Sequence, residues 1–252
     1  MNVRPKKHLG QHFLTDLNIA ERIVDLLPDP SNAPVYEIGP GKGVLTQFLI
    51  RRKPDLHLLE VDTESITYLQ HHYGDAGIHI YEQDVLTHDF RDRGEVPFSL
   101  IGNLPYNITS PILFQVLEHR QRFQYGVFMI QKEVADRICT PPGKRECGIL
   151  SVLLSAYFIP VYRFTVNPGA FFPPPKVKSA VITLDPKPEM PEVPFHRLKT
   201  LVKTAFGQRR KTLKNALSGL QFRPSPELDA LLTKRAEALV LEEFFWLEKQ
   251  WL

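Results

Sequence analysis

The chain has 252 residues, enough for one good-sized core and a small second domain. Apolar residues make up 43% of it and charged residues 23%, which is ordinary for a globular protein and excludes a disordered or fibrous chain. The formal net charge of +3 indicates no particular class of partner by itself. The longest apolar stretch, residues 149–159, contains Ser151 and Ser155 and is too short to cross a bilayer, so it predicts a buried helix.

The N-terminus and the cysteines indicate the compartment. Residues 1–10 are basic, but neither an apolar stretch nor a small-residue cleavage site follows them. We therefore expect no secretory signal and a cytoplasmic location. Cys139 and Cys147 are the only cysteines, they form no C-x-x-C motif, and no histidine stands at metal-ligand spacing. We expect neither a disulfide framework nor a metal site.

The first predicted elements, in chain order, alternate between helix and strand. Apolar residues repeat at helical spacing over 20–27, and two prolines end this helix before a strand at 35–38. Further strand-like runs and helical patterns follow, the strands at 56–61, 78–81, 98–101 and 125–130 and the helices at 44–52 and 112–117. This alternation predicts an α/β fold with a mostly parallel, doubly wound sheet and a ligand crevice at the carboxyl ends of its strands.

The pattern changes in the last third of the chain. An aromatic pair and three prolines at 171–175 lead into an alternating run at 179–184, which predicts a late antiparallel edge strand. A proline-rich linker follows at 186–194, and beyond it apolar residues recur at helical spacing. We therefore expect an α/β domain at 1–185 and a small C-terminal α-helical domain at 194–252.

A glycine-rich turn follows the first predicted strand. Gly39, Gly41 and Gly43 alternate between a strand and a helix, where glycines let the backbone approach a bound nucleotide. The spacing is not that of the dinucleotide fingerprint, and Gly41-Lys42-Gly43 lacks the hydroxyl residue of a triphosphate-binding loop. A merely tight connection is the alternative interpretation.

Two acids favour an adenosine-type ligand in the same crevice. Glu60 ends the next strand, 21 positions after Gly39, about where a doubly wound sheet places an acid for ribose hydroxyls. Asp84 ends the third strand, from which its carboxylate can reach an adenine amino group, although a turn or helix-cap role is the alternative. These features alone also fit a nicotinamide enzyme.

The tetrapeptide Asn103-Leu104-Pro105-Tyr106 follows the strand at 98–101 and so faces this crevice. An exocyclic amine is a poor nucleophile because its lone pair is delocalised into the ring, and two acceptors on its N–H groups favour a reactive geometry. The Asn103 side-chain carbonyl and the Leu104 backbone carbonyl, made rigid by Pro105, are two such acceptors. Tyr106 can stack on the base. The motif predicts methylation of an amino group by positioning and electrostatics, without a strong base.

A basic segment lies in the C-terminal part of the chain. Residues 196–219 contain seven Lys or Arg and no acidic residue, an excess that can neutralise phosphates; the alternative is a solvated helix face. We expect contacts to phosphates to come from Arg209, Arg210, Lys211 and Lys214, aided by Arg4, Lys6 and Lys7.

Taken together, these residues resemble the ribosomal RNA adenine dimethylases. The match is carried by motifs at 10–14, 37–41, 60–62, 102–107, 171–181 and 206–212, which span nearly the whole chain. Leu104 and the Pro-Pro-Pro-Lys-Val run are typical of the small-subunit branch rather than of the macrolide-resistance methylases. Two positions depart from the family, since His12 stands where Asn is more frequent and Cys147 where Tyr is.

The resemblance implies a Rossmann-like methyltransferase that uses S-adenosylmethionine. It would methylate N6 of two adjacent adenosines in a hairpin near the 3′ end of small-subunit ribosomal RNA, giving N6,N6-dimethyladenosine, as a step coupled to small-subunit biogenesis. The expected partners are that RNA and the immature small subunit, and we expect a monomer. The cofactor residues are expected to be His12, Leu14, Gly39, Gly41, Glu60, Asp84 and Asn103. Tyr106 and Phe171 would sandwich the flipped adenine, an exposed aromatic beside three prolines being suited to stacking.

Two other functions fit part of the sequence. A ribosome-assembly factor would bind immature small subunits and make little use of its cofactor pocket. An amino-methyltransferase acting on DNA would share the chemistry of the tetrapeptide but would normally carry a target-recognition domain, and only residues 195–252 follow the linker.

Overall fold

The computed structural model describes residues 3–6, 10–28, 33–52, 55–90, 96–208 and 210–252. The strands in these ranges are β1 (Phe13–Leu14), β2 (Val35–Ile38), β3 (Leu56–Glu60), β4 (His79–Glu82), β5 (Phe98–Asn103), β6 (Phe123–Gln131), β7 (Phe158–Val166), β8 (Phe171–Phe172) and β9 (Ser179–Pro186). The helices are α1 (Leu17–Val24), α2 (Thr46–Leu49), α3 (Thr63–Tyr73), α4 (Thr109–Glu118), α5 (Lys132–Cys139), α6 (Ile149–Tyr157), α7 (Phe195–Gly207), α8 (Leu213–Ala216), α9 (Pro226–Leu232) and α10 (Leu241–Gln250).

The main sheet is parallel through most of its width. Within the described residues it has seven strands in the order β4-β3-β2-β5-β6-β9-β7. β2 pairs in parallel with β3 and β5, β4 pairs in parallel with β3, and β6 pairs in parallel with β5. Every residue of β2 and β3 is buried, as in strands covered on both faces. The predicted α/β architecture is confirmed.

The part of the sheet beyond β6 differs from the expectation in one respect. The run at 179–184 is a strand antiparallel to β6, as predicted, but it is not an edge strand because β9 lies between β6 and β7. β7 takes the edge and was not predicted. Its burial does not alternate regularly and it contains Pro160, a residue that strands tolerate at a sheet edge, so the sequence carries no clear strand pattern there.

A second, two-stranded sheet joins distant parts of the chain. β1 and β8 are antiparallel, with Phe13 opposite Phe172 and Leu14 opposite Phe171. Thr15 extends this pairing, since its amide and its hydroxyl both donate to the Ala170 carbonyl at 2.8 and 3.0 Å. The N-terminal segment is thereby fixed to the segment before the prolines.

The residues divide into two compact units by their contacts. The first comprises Met1–Ala135 and Val161–Pro186, and the second comprises Asp136–Pro160 and Lys187–Leu252. The expected second domain began at 194 and did not include residues 136–160. Residues 136–160 belong to the second unit because α6 packs against α7, where the rings of Tyr157 and Phe195 lie 5.7 Å apart. In addition, the backbone carbonyl of Tyr157 accepts a hydrogen bond from the Lys187 amide at 2.9 Å.

Each unit has its own apolar core. In the first, side chains from α1, α2 and the sheet are buried together, among them Ile23, Leu49, Leu58, Val127 and Val181. In the second, the apolar faces of α7 and α10 are buried, including Leu198, Leu201, Phe244 and Leu247. Burial of one such side chain contributes roughly 1.5 to 3 kcal/mol. No helix in the described ranges is both long and apolar enough to span a membrane.

Gly102 sets the spacing between two central strands, and its substitution tests the sheet. It lies opposite Ile38 in the β2–β5 pair, where an added β-carbon would stand 2.6 Å from the Ile38 carbonyl oxygen. Strand backbones inside a parallel sheet cannot readily move aside, so we expect Gly102→Ala to lower the free energy of unfolding by about 2 kcal/mol. Denaturant unfolding followed by circular dichroism measures this loss.

Gly74→Ala is the matched control for that experiment. Gly74 has a helical φ of −56° and no heavy atom near an added β-carbon, so its substitution should be neutral or slightly stabilising. Equal stability of the two variants would contradict the close approach of β5 to β2.

Candidate active site

A cavity of about 210 Å³ opens at the carboxyl ends of the parallel strands. Its walls come from the ends of β2, β3, β4 and β5 and from the N-terminal segment around β1. Most of the predicted site residues line it, namely His12, Gly39, Gly41, Glu60, Asp84, Asn103, Leu104, Pro105 and Tyr106. The crevice is therefore where the order of the strands predicted it.

The glycine turn allows the N-terminal segment to lie against it. Gly39 and Gly41 have φ values of +60° and +56°, in the left-handed region that glycine adopts without strain. A β-carbon on Gly41 would also stand 2.7 Å from a ring carbon of Phe13. Only glycine therefore permits both the backbone conformation of the turn and the position of the Phe13 ring at the cavity wall.

Glu60 links this turn to the end of β3. Its carboxylate accepts hydrogen bonds from the amides of Gly41 at 3.0 Å, Val61 at 2.9 Å and Asp62 at 3.0 Å. Burial raises the pKa of Glu60, although these three backbone bonds act in the opposite direction. The side chain is buried but lines the cavity, so it can still accept a hydrogen bond from a ligand.

Glu37 is a second acid beneath the turn, and sequence reasoning did not single it out. It is fully buried in β2, and its Oε2 accepts a hydrogen bond from the Thr46 hydroxyl at 2.7 Å. The pKa of Glu37 is raised to about 8, mainly by burial and also by the nearby Glu60, against the lowering effect of the Thr46 hydrogen bond. Glu37 is therefore mostly protonated at neutral pH and supports the turn as a neutral group.

Asp84 makes the turn contact that the sequence allowed, and it also lines the cavity. It lies two residues beyond β4, and its Oδ1 accepts a hydrogen bond from the Leu86 amide at 2.9 Å, which is a turn contact. It also lines the cavity and is exposed. Its second carboxylate oxygen can therefore serve a ligand while the first one holds the turn.

Asn103 is oriented by the N-terminal segment. Its side-chain Nδ2 donates to the carbonyl oxygen of His12 at 2.9 Å. That bond uses one of the two N–H groups of Nδ2 and fixes the orientation of the amide, so that Oδ1 remains as an acceptor for a ligand. The neighbouring Leu104 amide donates to the Met129 carbonyl at 3.0 Å, so the turn is also fixed to β6.

Tyr106 and His12 form the rim of the cavity. The Tyr106 hydroxyl lies 2.8 Å from the Ser179 hydroxyl, and burial raises the pKa of Tyr106. His12 Nδ1 donates to the Pro173 carbonyl at 2.8 Å, and its ring centre is 5.8 Å from that of Tyr106. The tyrosine ring is thus held in place by its hydroxyl, and the proline-rich turn is joined to the cavity through His12.

Two predicted site residues are not at the cavity. Leu14 and Phe171 face each other across β1 and β8, and both are only 4% exposed within the core of the first unit. The expectation that Phe171 is an exposed stacking residue is wrong, because successive side chains of a strand point to opposite faces and Phe171 points inward. The neighbouring Phe172 is 64% exposed.

Lys6 has a different role from the one expected. Its ammonium group pairs with the buried carboxylate of Asp62 and lies 3.3 Å from Glu64. Burial alone would raise the pKa of Asp62, but the hydrogen bonds from Lys6 and Ser65 outweigh it and the pKa is lowered. Lys6 therefore fixes the N-terminal segment to the start of α3, and the expected Lys7 contact lies outside the described residues.

The basic segment belongs to the second unit. Arg210, Lys211 and Lys214 are exposed there, between α7 and the end of α8, whereas Arg209 lies outside the described residues. Arg197, also counted in the basic excess, pairs with Glu248 at 2.6 Å and lies 4.5 Å above the Trp251 ring. It stabilises the helical unit itself.

Asp55, His57 and His79 come together at the opposite ends of the strands, a grouping that sequence spacing did not reveal. Their nitrogen and oxygen atoms lie within 4.8 Å of one another. The buried His57 ring bonds through Nε2 to Asp55 at 2.8 Å and through Nδ1 to the Tyr81 hydroxyl at 3.0 Å. Protein groups thus account for both ring nitrogens.

Some known proteins are similar to this chain in sequence, and others are similar to it in fold. A protein of Porphyromonas gingivalis named ribosomal RNA small subunit methyltransferase A is 47% identical over 249 residues, covering 97% of this chain and 96% of that protein. A protein of the same name from Parabacteroides distasonis is 46% identical over 244 residues, covering 96% and 92%. The crystal structure of a dimethyladenosine transferase from Plasmodium falciparum superposes with a TM-score of 0.81 at 24% identity, covering 95% of this chain and 99% of that one.

The structural likeness confirms the Rossmann-like methyltransferase fold. Residues 2–246 also match the sequence profile of the family described as ribosomal RNA adenine dimethylase. With that match over nearly its whole length and relatives close to half identical, the chain belongs to the ribosomal RNA adenine dimethylase family.

Proposed function

We propose that the protein methylates N6 of two adjacent adenosines in a hairpin near the 3′ end of small-subunit ribosomal RNA. The observation that carries this proposal is the Asn103 amide at the cavity, which is held by the His12 carbonyl through Nδ2 and keeps its Oδ1 as an acceptor. An acceptor at that position suits an amino group as substrate. The small subunit as the source of the RNA is supported by the names of the relatives.

The cavity residues fit the cofactor of this family, S-adenosylmethionine. Glu60 has acceptor capacity left on Oε2 for a ribose hydroxyl, and Asp84 has a second oxygen for an adenine amino group. The left-handed turn at Gly39 and Gly41 lets backbone approach the ligand closely. When bound, the cofactor supplies an electrophilic methyl group on a sulfonium sulfur.

The chain's own groups orient the target amine. In the first transfer Asn103 Oδ1 and the Leu104 carbonyl accept hydrogen bonds from its two N–H groups, which turns the nitrogen lone pair out of the ring plane; in the second transfer one N–H remains to be held. Tyr106, fixed through Ser179, stacks on the adenine. The nitrogen becomes cationic on methylation and loses its proton afterwards, so the site needs no strong base and relies on position and electrostatics. Phe171, being buried, supports the β1–β8 sheet beneath this site.

We also propose that the protein acts in the cytoplasm as a monomer on immature small subunits, with the basic segment holding the RNA backbone. The exposed Arg210, Lys211 and Lys214 support the last point. The assembly-factor alternative gains no support from the structure, because a pocket with an oriented Asn103 and a positioned Glu60 is more than subunit binding requires.

The first test is methyl transfer by the purified protein to unmodified small subunits, large subunits and plasmid DNA, each with S-adenosylmethionine. We expect dimethyladenosine from small subunits alone, and Asn103→Ala to lower the rate about 100-fold, the scale of losing one positioned polar group. Mass spectrometry of the digested nucleic acid measures both results. Asn167→Ala, an exposed residue outside the cavity, is the control.

Each of the other outcomes would lead to a different conclusion. Product from large subunits or DNA would contradict the proposed substrate, and an Asn103→Ala variant as active as the wild type would contradict the mechanism. Tight subunit binding by the wild type without any methylated product would favour the assembly factor.

Gly41→Ala tests the cofactor site. The substitution combines an unfavourable φ with a clash against the Phe13 ring, so we expect S-adenosylmethionine to bind about 10-fold more weakly by calorimetry. Gly77→Ala is the control, because Gly77 has a similar φ of +71° but nothing within 4 Å of an added β-carbon. Equal cofactor affinity in the two variants would contradict the role of Gly41 in the cofactor site.

Replacement of Arg210, Lys211 and Lys214 by Ala tests the basic segment. We expect weaker RNA binding and a decrease of about 2 in the slope of log affinity against log salt, because phosphate contacts release counterions. Cofactor affinity should stay unchanged. A triple variant of Arg223, Arg235 and Lys249, exposed residues of the same unit, removes the same charge elsewhere. Equal slopes for the two triple variants would contradict the assignment.

A further inference from the structure

Phe172 presents an exposed aromatic ring beside the cavity. At 64% exposure it is the one aromatic residue among the large, exposed hydrophobic side chains of the described ranges; the others are aliphatic or methionine. A single exposed apolar side chain needs no special explanation, so its position in the fold decides what it can do.

The two-stranded sheet places Phe172 on the cavity side. Leu14 and Phe171 form one cross-strand pair and are buried in the core, so the adjacent pair, Phe13 and Phe172, lies on the opposite face. Phe13 lines the cavity. Phe172 is not in the cavity wall, but it lies directly across the β1–β8 pair from Phe13.

Hydrogen bonds fix the position of Phe172 relative to Asn103. The residue after Phe172, Pro173, accepts a hydrogen bond from His12 Nδ1 at 2.8 Å, and the His12 carbonyl accepts one from Asn103 at 2.9 Å. One residue, His12, therefore joins the backbone next to Phe172 to the group that receives the target amine.

The segment that carries the ring is basic. Lys176 and Lys178 follow Phe172 on the same segment and are exposed, and no acidic residue occurs from 167 to 184. Lys42 adds a third cation, with its nitrogen 5.5 Å from the centre of the Phe13 ring. An exposed ring among lysines is the combination with which proteins bind unpaired nucleic acid, through base stacking and backbone neutralisation.

We propose that Phe172 is a stacking subsite for an unpaired RNA base next to the target adenosine. The inference rests on the proposed function, because it requires an RNA whose adenine enters the cavity. When that adenine leaves its stack, the neighbouring base loses a stacking partner. The Phe172 ring replaces that partner, which reduces the cost of extruding the adenine and holds the RNA in register with Asn103.

The test compares four variants in binding to a short RNA hairpin whose loop contains two adjacent adenosines. We expect Phe172→Ala and Phe172→Leu each to weaken binding about 10-fold, because both lose the planar face, and Phe172→Trp to stay within about twofold of the wild type. Val177→Ala, an exposed aliphatic residue of the same segment, should also stay near the wild type. Cofactor affinity should not change in any variant.

A spectroscopic signal distinguishes stacking from a merely apolar contact. The Phe172→Trp variant should show saturable quenching of tryptophan emission on RNA binding, beyond the change that Trp246 and Trp251 give in the wild type. With small subunits as substrate, Phe172→Ala should raise KM about 10-fold and leave kcat within about twofold.

The subsite and the proposed function fail in different ways. Three results would each overturn the subsite: RNA affinity of Phe172→Ala equal to the wild type, RNA affinity of Phe172→Leu equal to the wild type, or no quenching of tryptophan emission in Phe172→Trp. A wild-type protein that binds the hairpin but methylates no small subunit would overturn the proposed function, while the binding series would still decide the role of Phe172.

Discussion

The hydrogen bond from Asn103 Nδ2 to the His12 carbonyl is the contact on which the rest of the site depends. It determines which end of the Asn103 amide faces a ligand, and it joins the N-terminal segment to the carboxyl end of β5. The segment that it fixes carries Phe13 to the glycine turn and pairs with the strand before the proline-rich turn. One bond therefore couples Asn103, the proposed acceptor for the amine, to two parts of the chain more than 60 residues away on either side.

The cofactor side of the cavity is organised by backbone amides rather than by charged partners. Glu60 accepts from three of them, one in the glycine turn and two in its own segment, so the turn and the end of β3 cannot move independently. Asp62, two residues on, receives Lys6 and caps α3. The carboxyl ends of the strands and the loops that follow them thus supply the site, as is general in open α/β sheets.

The sequence predicted the parallel part of the sheet well because its strands are short, continuous apolar runs between helical patterns. The run at 35–38 matches β2, and 98–101 falls short of β5 only because Gly102 and Asn103, a weak strand former and a site residue, continue it. Local pattern could not reveal β7, with its proline and irregular burial, or the two-residue pairing of β1 with β8. Local pattern could not show whether Phe171 or Phe172 is the exposed ring, since two adjacent aromatic residues differ only in which face of a strand they occupy. Helix α6 joined the helical unit through its contact with α7, a long-range contact that composition does not report.

The protonation of Glu37 makes the stability of the fold depend on pH. Its carboxyl group has an ordinary pKa of 4.5 and one of about 8 in the folded chain. Between these values the unfolded chain has released the proton that the folded chain keeps, so folding near neutrality is accompanied by proton uptake. The contribution of this group to stability is complete below about pH 4.5 and declines as the pH rises towards about 8. A rise in pH from about 4.5 to about 8 therefore weakens the fold through this buried acid of β2, which bonds Thr46 at the start of α2.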